Sequence, residues 1–156
     1  MGTAMADAHT QGAVSELITM TKLMEQGLRV SQPVGDHCAY DYIVDDGSKL
    51  YRVQCKTARA ARATSITANL RRSRHPDKGG DQLYTENDID VYVVYWHGSD
   101  TAYWIPFDDA PTTKLTLNLD PESVSSRTRH NLRPAEEYDI YNVFSDNHSI
   151  DVSTFQ

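Results

Sequence analysis

The chain has 156 residues, enough for one domain with a buried core and short for two. Its 15 Lys and Arg against 22 Asp and Glu give a net charge of −7, which argues against a uniformly basic nucleic-acid binder. No apolar run approaches the roughly 18 residues of a membrane span and no signal peptide is visible, so a cytoplasmic protein without a membrane partner is expected.

The average hides an asymmetry. Between Arg52 and Lys78 stand eight basic residues and one acid, Asp77, a local charge of +7, while the remainder of the chain carries −14. A confined basic segment in an acidic chain draws an anionic substrate to one face, although a solvated loop has the same composition.

Residues 1–9 lack periodicity and are expected to be disordered, residues 10–142 to form the domain, and residues 143–156 an acidic tail. Val14, Leu17, Ile18 and Met24 recur at helical spacing, with Ala13, Met20 and Leu23 widening the stripe, which predicts a helix from Thr10 to Gln26. Thr10 is the expected N-cap and Gly27 the stop. Glu16 falls at the edge of that stripe; on position alone it is equally an ordinary acid near a helix N-terminus.

Leu28 to Gln32 reads as a short strand ended by Pro33. Tyr42-Ile43-Val44 and Leu50-Tyr51 flank Asp45-Asp46-Gly47-Ser48, a hairpin signal. The two-residue period of the second strand sends Arg52, Gln54 and Lys56 to one face and Tyr51, Val53 and Cys55 to the other, and the turn returns Asp41 alongside Gln54 and Lys56. Cys38 and Cys55, in or beside core strands and without zinc spacing, are expected to be reduced and structural.

Ser65 to Leu70 is a further candidate strand, and the basic loop Arg71 to Gly80, with Pro76 and Gly79-Gly80, is the expected mobile element. Asp90 to Trp96 and Ala102 to Ile105 form a second hairpin expected to complete the sheet, Asp90 reading as a turn residue at its start. Phe107 to Ala110 and Pro134 to Tyr138 suggest short helical turns, and Leu115 to Leu119 an edge strand.

An acid on one strand, an amide two residues before a lysine on the next, and an acid from a packing helix make a compact site for a hard cation. Mg²⁺ takes oxygen ligands, commonly one or two carboxylates with waters and substrate phosphate, and Mn²⁺ can substitute. Asp41 would bind the metal, Gln54 and the Cys55 backbone carbonyl would add ligands, and Glu16 would hold a metal-bound water or share a second metal. Lys56 would orient or deprotonate the attacking water. The chemistry implied is hydrolysis of a phosphodiester.

Three stretches, Gly12-Ala13-Val14-Ser15-Glu16, Val34-Gly35-Asp36 with Tyr40 to Gly47, and Leu50 to Ala58, resemble the PD-(D/E)XK endonucleases. The resemblance is narrowest to the group I intron-encoded homing endonucleases of that superfamily, in which glutamine replaces the acid of the motif. Asp88 to Tyr95 continues it loosely, as does Asn131 to Tyr138.

The resemblance implies an α/β fold with a mixed β-sheet flanked by helices, and metal-dependent cleavage of double-stranded DNA. It further implies a homo-oligomer, dimer or tetramer, and a catalytic set of Glu16, Asp41, Gln54 and Lys56. A structure-specific nuclease such as a Holliday junction resolvase, or a non-catalytic DNA-binding module of the same fold, remain alternatives. Candidate DNA contacts are Arg59, Arg62, Arg71, Arg72, Arg74 and Lys78, with Arg127, Arg129 and Arg133 as a second patch, all expected to touch phosphates.

Overall fold

The central strand of the fold is Val91–Trp96 (β6), five of whose six residues are buried. Its side chains alternate between two cores. Val91, Val93 and Tyr95 enter one and Tyr92 and Val94 the other, the apolar pattern of a strand covered on both faces. The computed structural model describes residues 7–73, 76–125 and 132–145.

Five strands form the central sheet in the order β1-β2-β3-β6-β7, with Arg29–Ser31 as β1, Tyr42–Asp45 as β2, Leu50–Thr57 as β3 and Thr101–Pro106 as β7. The β3–β6 pair is parallel and the other three pairs are antiparallel, so the sheet is mixed. Both predicted hairpins are present. At the first, Gly47 takes φ +96°, while the Asp45 and Asp46 carboxylates accept from the Gly47, Ser48 and Lys49 amides.

The parallel pair requires a long crossover, and that crossover supplies two of the three strands of a second sheet, the third coming after β7. Arg59–Arg62 (β4), Ser65–Asn69 (β5) and Lys114–Asn118 (β8) pair antiparallel in the order β4-β5-β8. The sequence carries no signal for β4: all four of its residues are exposed, so no alternation marks it. The run at Leu115 is indeed an edge strand, but of this second sheet. Ile66, Ala68, Leu115 and Leu117 pack inward against Tyr92, Val94, Tyr103 and Ile105 of the central sheet.

The other face of the central sheet carries helix α1, Ala8–Glu25, and a helical turn at Ile140–Val143 (α2), whose Ile140 is buried. The cap of α1 is Asp7, whose carboxylate accepts from the Thr10 amide at 2.7 Å, so the helix begins ahead of the Thr10 expected as N-cap. Gly27 ends it as expected, at φ +84°.

The buried face of α1 corrects the predicted stripe. Ser15, Thr19 and Leu23 are the buried row, while Val14, Leu17 and Met24 are 39%, 62% and 60% exposed. The reason lies in the sheet beneath, where bulky Tyr42 and Val53 fill the interface and leave room for small side chains on the helix. Hydroxyls then meet polar atoms: Ser15 Oγ lies 2.7 Å from Thr57 Oγ1, and Thr19 Oγ1 2.9 Å from the Tyr42 hydroxyl. Cys55 is buried beside Thr19 as a structural thiol, whereas Cys38 is exposed in the loop after β1 and has no core role.

Candidate active site

Asp41 stands just before β2, and two hydrogen bonds lock it onto β3. Its N–H donates to the Val53 carbonyl at 2.8 Å, and its carboxylate accepts from the Cys55 N–H at 2.8 Å. Because Tyr42 is opposite Val53, Asp41 falls opposite Gln54, as the hairpin geometry predicted. The small-residue face of α1 then brings Glu16 down beside it. Glu16 and Asp41 line one cleft of about 330 Å³, closed by Gln32, Pro33, Asp36 and Tyr40.

The electrostatics show two carboxylates confined together. Burial, and then the charge of Asp41, push Glu16 up to about 7. Burial also raises Asp41, against the opposing pull of the Cys55 N–H and of Lys56. Lys56 is lowered, chiefly by burial, with Asp41 opposing. Burial is the first cause of all three shifts, raising the two acids and lowering the amine, as desolvation of charged groups requires.

Gln54 and Lys56 leave the same face of β3, as the period-two reading required. The Gln54 amide donates to the Cys55 carbonyl at 3.4 Å, and its Oε1 accepts no hydrogen bond from a described residue. Lys56 Nζ donates to the Arg71 carbonyl at 2.7 Å and lies 5.2 Å from the centre of the Tyr84 ring. No local pattern marks Tyr84: an isolated tyrosine 28 residues from the lysine it covers leaves no signal in the sequence.

The donor set fits a hard divalent cation. Glu16, Asp41, the Gln54 amide and the Cys55 carbonyl are all oxygen donors, and two carboxylates match what Mg²⁺ commonly takes from protein. Among the described residues no group of three or more His, Cys, Asp or Glu is placed to hold a metal. A neutral glutamine in place of a third acid accounts for that at this site.

The basic segment is divided in its roles. Arg52 faces inward, where a bidentate pair with Asp90 (2.9 and 3.0 Å) and the Glu86 and Asn87 carbonyls engage its guanidinium. Asp90, which also accepts from the Arg52 N–H, therefore ties β3 to the start of β6 and is more than a turn residue. Arg59, Arg62, Arg71 and Lys78 are exposed, and Arg72 is half-buried where its backbone bridges to Gln82. Arg133 is half-buried, its carbonyl accepting from Asn118 at the outer edge of β8. Arg74, Arg127 and Arg129 lie outside the described residues.

No curated protein sequence matches the chain. The solved structure of a bacterial homing endonuclease, I-Ssp6803I, is similar in fold, with a TM-score of 0.68 at 20% sequence identity, covering 93% of this chain and 98% of that one. The family model for the PD-(D/E)XK endonucleases matches residues 6–141, a span that takes in Glu16, Asp41, Gln54, Lys56 and both sheets. By that match the chain belongs to the PD-(D/E)XK endonuclease family.

Proposed function

We propose that this endonuclease hydrolyses phosphodiester bonds in double-stranded DNA with the help of a divalent metal, Mg²⁺ or in its place Mn²⁺, and acts as a homing-type enzyme. The observation that carries the reading is the pairing of Glu16 and Asp41 in one cleft, next to Gln54 and Lys56 on adjoining β3. The fold shared with a homing endonuclease supports the homing reading over a junction resolvase.

In this mechanism Asp41, the Gln54 side-chain oxygen and the Cys55 carbonyl would hold the metal, with Glu16 beside them to hold one of its waters or share a second ion. When bound, the ion supplies positive charge against the phosphate oxygens and makes a coordinated water more acidic. Asp41 is held rigid by its two bonds to β3, so its carboxylate needs little reorganisation. Lys56, partly desolvated, either donates to the attacking water and fixes its direction or takes a proton from it, and its lowered pKa suits both tasks. Exposed arginines around the site hold the polyanion by phosphate contacts. Cutting both strands of a duplex calls for two such sites, hence a homo-oligomer, dimer or tetramer.

The test is cleavage of supercoiled plasmid and of linear duplex by purified protein with Mg²⁺, with EDTA, and with a four-way junction as competing substrate. Lys56→Ala is expected to abolish cleavage while retaining a cooperative thermal transition and DNA binding. Cleavage by Lys56→Ala at the wild-type rate, or in EDTA, would overturn the mechanism, and preference for the junction would replace the homing reading.

A further inference from the structure

The second sheet has two unlike faces. One packs on the central sheet through Ile66, Ala68, Leu115 and Leu117. The other is polar and uncovered. Cross-strand partners share a face, so register places Arg59, Thr67 and Thr116 in one row across it, and Asn69 and Lys114 in the next.

A bulge adds to this face. In a regular strand Arg59 and Arg62, three residues apart, would point to opposite sides. Here β4 carries an extra residue between Ala60 and Arg62, so that Arg62 pairs with Ser65 while Arg59 pairs with Thr67. Ser65 and Thr67 lie on the same side of β5, and both arginines therefore reach the same polar face. Re-aiming a side chain is a common use of a bulge near a site.

The three strands divide the chemistry. The middle strand presents only short polar side chains, Ser65, Thr67 and Asn69. The strands on either side carry long cations, Arg59 and Arg62 on β4 and Lys114 on β8. Among the described residues, no hydrogen bond or ion pair engages the side chains of Arg59, Arg62, Thr67 or Lys114. A groove of about 610 Å³ runs over this face and is lined by Thr57, Arg59, Thr67, Asn69, Arg71 and Lys114, among others. It lies beside the active site, since Arg71, which lines it, accepts the Lys56 ammonium through its carbonyl. Asp81 is an acid on its wall, at the end where its charge acts on Lys56.

We propose that this polar face is the base-reading surface: β5 seats in the major groove with Thr67 and Asn69 toward base edges, while Arg59, Arg62 and Lys114 hold the flanking phosphates. The inference rests on the duplex-DNA reading above and adds the residues that set sequence preference. Dimensions agree if β5 alone faces the floor of the groove: the outer strands, about 4.8 Å to either side, then lie toward the margins of a groove about 12 Å wide, where the phosphates are. Short side chains on the middle strand let the backbone approach the bases, and long cations at the margins reach the phosphates on both sides. The occupant is a polyanion, matched by three exposed cations on the face.

The test is selection of bound duplexes from a randomised pool, in Ca²⁺ to hold cleavage off, with wild type, Thr67→Ala, Asn69→Asp, Arg59→Ala and Lys114→Ala. Asn69→Asp keeps the acceptor that binds the Arg71 N–H at 3.0 Å and removes the amide donor, so the loop conformation is retained. Thr67→Ala is expected to lower base discrimination roughly five- to hundredfold at one or two adjacent positions, and Asn69→Asp to move preference at its position from adenine toward cytosine. Arg59→Ala and Lys114→Ala are expected to keep the motif and each reduce the salt slope of binding by about 0.9. An unchanged motif in both β5 variants, or a wild type that binds duplex without any motif, overturns the base-reading assignment. A wild type that binds no duplex overturns the duplex-DNA reading itself, and the two failures are distinguished in the wild-type lane.

Discussion

A carboxylate pushed up to about 7 keeps, in the native state, a proton that the unfolded chain has released above its ordinary value near 4.5. For Glu16 the native state therefore binds more protons between those values, and metal-free stability falls as pH rises through that window. Glu16→Gln removes the cost. Because the side chain is partly exposed, solvent screening reduces the effect to about 1 kcal/mol, or roughly 2–4 °C in Tm at pH 8, vanishing below pH 4.5. The same variant is expected to lose cleavage, so stability and activity move in opposite directions. In the wild type, metal affinity measured by calorimetry should weaken as pH falls below about 7, where Glu16 takes its proton. Tyr84 gives a second residue-scale test, because its ring faces the Lys56 ammonium. Tyr84→Phe keeps a π-face and should cleave within about twofold of wild type, whereas Tyr84→Leu loses about 1 kcal/mol of support for the charged amine. The limb of the pH–rate profile that reports Lys56 should then move to lower pH by roughly 0.7 unit. An unmoved limb would separate the ring from the lysine.

At the scale of elements, α1 shows why a readable helix can be docked by an unreadable face. Apolar spacing located the helix but selected Val14, Leu17 and Met24, since a hydrophobicity count gives no weight to Ser15 and Thr19. Their burial is decided by Tyr42 across the interface, whose hydroxyl needs a partner in a dry site. Equilibrium denaturation should reverse the sequence-based ranking. Leu17→Ser on the exposed side is expected to cost less than about 0.5 kcal/mol, while Thr19→Val, nearly isosteric, orphans the Tyr42 hydroxyl and costs roughly 1–3 kcal/mol. Adding Tyr42→Phe should recover most of that loss, a coupling that a double-mutant cycle isolates. The site was more legible than the helix packing. Asp41, Gln54 and Lys56 follow from a two-residue period and an Asp-Gly turn, both local rules, whereas Tyr84, Lys114 and the Arg52–Asp90 pair depend on chain returns that no local pattern encodes.

Across the whole molecule the same division governs charge. Composition located a +7 segment in an acidic chain, but the fold decides which of those cations can meet a ligand. Arg52 is spent on Asp90, and Lys56 is turned toward Arg71 and Tyr84 inside the site. Lys114, distant in sequence, joins the basic face because Asn69 pairs with it across β5 and β8. Among the described residues, the exposed cations of this segment and its sheet partner are Arg59, Arg62, Arg71, Lys78 and Lys114. If each neutralises one phosphate, log K should fall against log salt with a slope of about −4.5 per protomer, a several-hundredfold loss between 50 and 200 mM. Fluorescence anisotropy with a nonspecific duplex measures it directly. A slope shallower than about −2 would mean that no more than about two of these cations meet phosphates, and charge reversal at a cation outside that pair would then leave binding unchanged instead of weakening it.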